Sequence, residues 1–167
     1  GIKSLILTDI DAIKVTGKNT KGDDVWGACP VKEGTKTSNS AIGHFLNAVT
    51  WEDLKALPVG GRTIIVGSST ICICYQQEEN TYHARSFEDA FIHLNRAFVK
   101  ENKDTFQGIK NASDFDDDEK SPYDLADKCV KKKTHFALDI LYHSDENFSN
   151  WNIPAYIKNG LLWLKED

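Results

Sequence analysis

An unbroken apolar run that ends in two acids, Leu5-Ile6-Leu7-Thr8-Asp9-Ile10-Asp11, limits this chain more than any other stretch. Such a run reads as a buried strand, and in a strand the side chains alternate with period two. Asp9 and Asp11 are therefore expected to leave its end on the same side, roughly 6–7 Å apart along the chain. A strand running into an acidic turn is the plain alternative. Paired carboxylates at a strand end otherwise imply a site for a hard cation or for acid–base chemistry.

At 167 residues and 40 % apolar content, the chain has enough apolar side chains for one core, so residues 1–167 read as a single domain. A formal charge of −5 excludes a protein that coats nucleic acid through a broad basic face. Contact with DNA through metal ions stays open. Cys29, Cys72, Cys74 and Cys129 make no C-x-x-C pair and lack histidine partners at zinc-finger spacing, so they read as reduced core thiols. With no signal peptide and no run of 18 apolar residues, a cytoplasmic, non-membrane protein is expected. The chain lacks methionine and opens at Gly1 almost directly on a strand, so it is expected to be the C-terminal piece of a longer protein.

Along the chain, residues 14–37 are rich in Lys, Gly, Thr and Asp without a period and read as a long loop. Thr37 or Ser38 is expected to cap a short helix through Ala41 and Phe45, and Thr50 a second one that stops before Pro58. Thr63–Val66 and Ile71–Tyr75 read as strands. Residues 86–102 carry Phe87, Ala90, Phe91, Leu94 and Phe98 on one stripe and predict one helix capped by Ser86. On that wheel Glu88 sits at the rim of the stripe, while Asp89 points away to solvent or to a base. Residues 103–120 lose their period and end in Asp116-Asp117-Asp118-Glu119, a flexible acidic loop or, alternatively, an acidic metal cluster. Helices follow over 122–130 and through Phe136, Ala137, Ile140 and Leu141, with Lys133 on the apolar face of the latter and in need of a counter-charge. A C-terminal helix ends near Lys165, slightly weakened by Gly160.

Asp9, Asp11, Glu88 and Lys133 thus sit on otherwise apolar elements. Mg²⁺ commonly uses a few carboxylates with phosphate and water, and a lysine offsets charge developing on phosphate. The set fits metal-dependent phosphoryl chemistry by two metal ions.

Four segments in order, T-D-I-D at 8–11, R-S-F-E-D-A-F at 85–91, K-T-H-F-A-L at 133–138 and I-P-A-Y-I-K-N-G-L-L-W-L at 153–164, resemble the C-terminal TOPRIM domain of OLD-family nucleases. They are most similar to the helicase-associated group that includes the nuclease subunit of Gabija antiphage systems. The resemblance implies an α/β fold: a partial TOPRIM, Rossmann-like domain with a short central parallel sheet flanked by helices and a helical C-terminal part. It also implies a two-metal DNA endonuclease or nickase in antiphage defence, using Mg²⁺ or Mn²⁺. ATP would act only through an upstream ATPase domain, and the partners implied are DNA, a dimer or higher homo-oligomer and a UvrD-like helicase. By position, Asp9 and Asp11 match the family's D-x-D, Glu88 its later metal-binding acid with Ser86 as neighbour, and Lys133 its catalytic lysine. Asp89 replaces Glu88 if the helix phase differs. The family's earlier strand and glutamate have no counterpart here, nor does a Walker A motif, so the chain alone is expected to be catalytically incomplete. Two other readings remain. One is a HAD-like phosphatase with Asp9 as nucleophile, which needs a further strand and acids after Lys133. The other is a non-catalytic TOPRIM module for dimerisation or docking through Trp151, Tyr156 and Trp163.

Overall fold

The computed structural model describes residues 1–166. In chain order its strands and helices are β1 (Lys3–Leu7), β2 (Ala12–Lys18), β3 (Asp24–Ala28), β4 (Lys36–Thr37), α1 (Ser40–Phe45), α2 (Trp51–Ala56), β5 (Thr63–Val66), β6 (Ser69–Cys74), β7 (Glu78–Glu79), β8 (Tyr82–His83), α3 (Phe87–Leu94), α4 (Arg96–Asn102), α5 (Pro122–Cys129), α6 (Lys133–Tyr142) and α7 (Ala155–Lys165). They form two compact units, residues 1–86 with α7, and residues 87–154. The fold is mixed α/β, with a small sheet flanked by helices, as the sequence predicts.

In the first unit β1 pairs in parallel with β6, from Lys3↔Thr70 to Leu7↔Cys74, and β5 adds to the other side of β6 antiparallel. A parallel pair requires a long crossover between its strands. Residues 8–68 supply it, β5 included, and they hold a second sheet, β3-β2-β4, that corrects the long loop expected over 14–37. The β2–β3 ribbon is largely exposed, so it shows little of the apolar alternation by which a half-buried strand is recognised. Its turn is built by polar chemistry instead. The Asn19 side chain accepts from the N–H groups of Lys21 and Asp23, and Gly22 takes φ +86°.

Beneath these elements lies a core of Ile10, Ala12, Cys29, Val31, Ile42, Leu46, Leu54, Ile73 and Tyr75. The fully buried Arg62 guanidinium donates to the carbonyls of Leu57 and Tyr75 and stacks on the Tyr75 ring, 3.8 Å from its centroid. Thr50 caps α2 as expected. For α1 the cap is Asn39, not Thr37 or Ser38, because its carbonyl oxygen accepts from the N–H groups of both Ala41 and Ile42. All four cysteines are free and buried; Cys72 and Cys74 lie Sγ to Sγ at 3.6 Å, and burial pushes the Cys74 thiol up to about 12. None of the described helices is long and apolar enough to cross a membrane.

The second unit packs Phe91, Ile92, Phe98, Val99, Phe106, Phe115, Leu125, Cys129, Val130, Phe136 and Ile140 into one aromatic-rich core. The single helix expected over 86–102 is two, broken at Asn95. There the side chain donates to the carbonyls of Phe91 and Asn152 and accepts from the Asn152 N–H at 2.6 Å, which competes with the helical ladder. Residues 103–120 contain one short 3₁₀ turn, Ala112–Asp116, with Phe115 fully buried. Asp114 pairs with Lys120 at 2.8 Å and Asp116 with Lys103 at 3.0 Å.

Gly160 of α7 has a steric role beyond its weak helix propensity. A Cβ there would stand 3.0 Å from Cys74 Sγ and 3.1 Å from Leu5 Cδ1, so the helix lies close on β1 and β6. Gly160→Leu is expected to lower the unfolding free energy by about 2 kcal/mol through overpacking. In Gly160→Ala, a gain of about 1 kcal/mol in helix propensity offsets the tighter contact. Chemical denaturation checks both, and an unchanged leucine variant would contradict the close approach.

Candidate functional site

Strand β1 ends at Leu7, and one more ladder bond, from the Thr8 N–H to the Cys74 carbonyl at 2.9 Å, carries the chain past it. Extending the parallel register by two residues brings Asp9 beside Gln76. There the strand geometry stops. Ile10 is fully buried and Asp11 takes φ +48°, a left-handed conformation that aspartate tolerates better than most residues. The expected placement of both acids by strand alternation is therefore corrected: Asp9 and Asp11 sit on a turn beyond the strand, anchored between them by Ile10.

That turn is held from four directions. The Gln76 side chain accepts from the Ile10 N–H at 2.7 Å and donates to Asp9 Oδ1 at 2.6 Å. Asn39 donates to Thr8 Oγ1 at 2.7 Å and to the Asp9 carbonyl at 2.9 Å, while its own oxygen caps α1. Thr37 donates its hydroxyl to the Ile10 carbonyl at 2.7 Å. Arg85 lies 3.1 Å from Asp11 Oδ1 through Nη2, donates Nε–H to the Ala12 carbonyl, and accepts the Asp11 N–H on its own carbonyl. Both carboxylates are half-buried and already oriented. Beside them, His83 Nε2 lies 2.9 Å from the Gln76 carbonyl, and burial holds this imidazole below its ordinary range.

In the second unit, Glu88 and Lys133 form a pair. The Glu88 side chain is only 7 % exposed, and its Oε2 lies 3.0 Å from Lys133 Nζ, which opens α6 with a side chain 65 % exposed. The counter-charge that Lys133 requires is thus Glu88, reached by a long stem that starts in solvent. Asp89 is buried at 1 % exposure, which corrects the solvated one of the two placements expected for it. Residues 88–92 are all buried, so α3 has no solvent face there for Asp89 to use. Ser86, directly before α3, is buried as well. Of the aromatics read as possible docking groups, Tyr156 is buried and Trp151 donates Nε1–H to Ser144 Oγ at 2.8 Å. Trp163 carries the Lys3 ammonium over its ring.

Gln76, Arg85, Asn39 and Thr37 hold the acid turn, and the sequence reading assigned none of these roles. One signal was available. A glutamine directly after a strand as apolar as Ile71–Tyr75 must satisfy both ends of its amide, and the turn after the neighbouring strand is where a parallel pairing puts the partner.

Among the described residues, no three His, Cys, Asp or Glu side chains lie close enough to hold a metal ion by themselves. The donors of the turn are nevertheless of the right chemistry for a hard cation, since Mg²⁺ is commonly held by one or two carboxylates together with substrate phosphate and water. Asp9 and Asp11 would supply those carboxylates, with Arg85 as the competing cation for Asp11.

Removing Lys133 leaves the buried Glu88 carboxylate without its ammonium. Lys133→Met is expected to cost on the order of 1–3 kcal/mol, below the cost for a fully buried pair because the lysine stem is exposed. Adding Glu88→Gln to that variant should recover part of the loss. Urea unfolding of the single and double variants checks this, and strictly additive losses would contradict the pairing.

No protein-family profile matches this chain, and no solved structure matches it. A curated protein does: over 175 aligned residues the chain is 29 % identical to Endonuclease GajA of Bacillus cereus (strain HuB5-5). The alignment covers 98 % of this chain and 24 % of that protein, so the chain spans about a quarter of the length of its relative. The likeness runs the whole length of the chain and supports a relationship to Gabija-type, OLD-like nucleases.

Proposed function

We propose that this chain is the TOPRIM-type catalytic part of a divalent-cation-dependent DNA endonuclease or nickase acting in antiphage defence. The observation that carries the reading is the rigid Asp9–Asp11 turn, two half-buried carboxylates oriented by Gln76 and Arg85, in a chain similar to an endonuclease along 98 % of its length. Pre-oriented carboxylates cost no reorganisation when a ligand arrives, which is what a site for phosphoryl chemistry needs.

Asp9 and Asp11 are assigned to hold Mg²⁺ or Mn²⁺. Glu88 is assigned as a further acid, favoured over Asp89 because Lys133 already engages it; Ser86 and Asp89 are secondary candidates. Two such ions, when bound, would supply an activated water and neutralise charge on the leaving oxygen. Lys133 contributes a mobile ammonium, anchored at Glu88, that stabilises negative charge on a phosphate. Arg85 keeps Asp11 placed until phosphate and cation compete for these groups. The remaining expectations concern the whole protein: ATP dependence through an ATPase region, assembly as a dimer or higher oligomer, and a UvrD-like helicase partner.

A covalent phosphatase reading, with Asp9 attacking phosphorus, requires a strand and acids after Lys133. Among the described residues only helices α6 and α7 follow it.

In the full-length protein, supercoiled plasmid should be nicked or cut in the presence of Mg²⁺ or Mn²⁺ and left intact after chelation. Asp9→Ala and Lys133→Ala should each reduce the rate by about 100-fold or more. Gel-based cleavage assays read this out. Undiminished cleavage by either variant, or hydrolysis of a small aryl phosphate in place of DNA cleavage, would contradict the assignment.

A further inference from the structure

We propose that Gln76 is a positioning residue for the metal site, fixing the orientation of the Asp9 carboxylate through its side-chain amide. The inference rests on the reading of Asp9 as a metal ligand.

Gln76 is 1 % exposed, and burying a primary amide is costly unless both ends are met. The assignment of the two ends is forced by chemistry. The Ile10 backbone N–H, 2.7 Å away, is a donor and needs the amide oxygen, so the NH₂ must face Asp9. A group that merely capped the Ile10 N–H could be a short hydroxyl. The longer side chain spans two partners, and its second bond, at 2.6 Å, is charge-assisted and directed at a carboxylate oxygen. Rotation of a carboxylate about its terminal bond is soft, so a fixed donor on one oxygen decides which lone pairs are offered to a cation. The donor is itself fixed. Gln76 stands two residues after the end of β6, and its backbone carbonyl meets His83. Arg85 makes the corresponding contact on Asp11, but that side chain is 19 % exposed and carries its own charge, whereas Gln76 is neutral and 1 % exposed.

Partners that orient metal-binding groups from behind typically alter metal affinity or activity by about 10–100-fold when removed. The test uses the full-length protein and Mn²⁺ binding followed by the electron paramagnetic resonance signal of the free ion, with plasmid cleavage alongside. Gln76→Leu should raise the Mn²⁺ dissociation constant of the site lost in Asp9→Asn by about 10–100-fold, leave the KM for DNA within about twofold, and regain part of its kcat at high Mn²⁺. If Gln76→Leu shows no cooperative unfolding transition, Gln76→Asn carries the same expectation, because its amide is one methylene too short to span both partners. Mn²⁺ affinity within about twofold of the unsubstituted protein, with or without a change in KM, would overturn the proposal. The two readings separate in one experiment. Unchanged Mn²⁺ binding in Asp9→Asn overturns the metal role of Asp9 itself, and loss in Asp9→Asn with none in the Gln76 variants overturns only the positioning role.

Discussion

Two like charges on a tight turn at the end of a strand repel each other and leave backbone polar groups without a ladder to join. The fold meets that problem with side chains rather than with further strand. Gln76, Asn39, Thr37 and Arg85 come from three separate segments, and each joins the turn at a backbone group, a carboxylate, or both. Each contact is worth on the order of 1 kcal/mol net, more where a charge takes part. Their combined effect is to hold Asp11 left-handed and Ile10 in the core, so that the two acids cannot relax apart. The parallel β1–β6 pairing makes this possible, because it delivers Gln76 beside Asp9 with no loop of its own.

Residues 87–154 solve a related problem with one ion pair. A nearly buried carboxylate, Glu88, is stabilised by an ammonium that arrives along an exposed stem. An arrangement of that kind leaves the ammonium able to move, which a buried guanidinium would not be. Arg62 is the contrast within the same chain: its buried guanidinium is satisfied by two carbonyls and an aromatic face, and it serves packing.

Much of the fold was readable because it is written in apolar periodicity. β1, β5, β6 and the helices of the second half all carry apolar runs or stripes, and Thr50 and Pro122 mark helix starts in the usual way. What escaped was written in polar chemistry. The β2–β3 ribbon buries too little to show a period, Asn95 breaks a continuous apolar stripe through its own hydrogen bonds, and Asn39 outcompetes its hydroxyl neighbours as a cap because it also ties down Thr8 and Asp9. The same holds for the candidate site. Its acids and lysine could be picked out by residue type, and a counter-charge for Lys133 was expected; its expected place on the apolar face is corrected, because the side chain is 65 % exposed and reaches Glu88 from solvent. The left-handed turn at Asp11 and the buried amide of Gln76 depend on strand register, which a single sequence does not state.

The account stands on the Asp9–Asp11 turn being a cation site preformed by its neighbours. Anomalous X-ray diffraction from crystals of the full-length protein grown with Mn²⁺ addresses that directly. The predicted result is a manganese peak in coordination distance of both carboxylates, with the Gln76 amide still on Asp9 and the turn unmoved. Manganese bound elsewhere while Arg85 stays locked on Asp11, or a turn that must refold to bind, would contradict it.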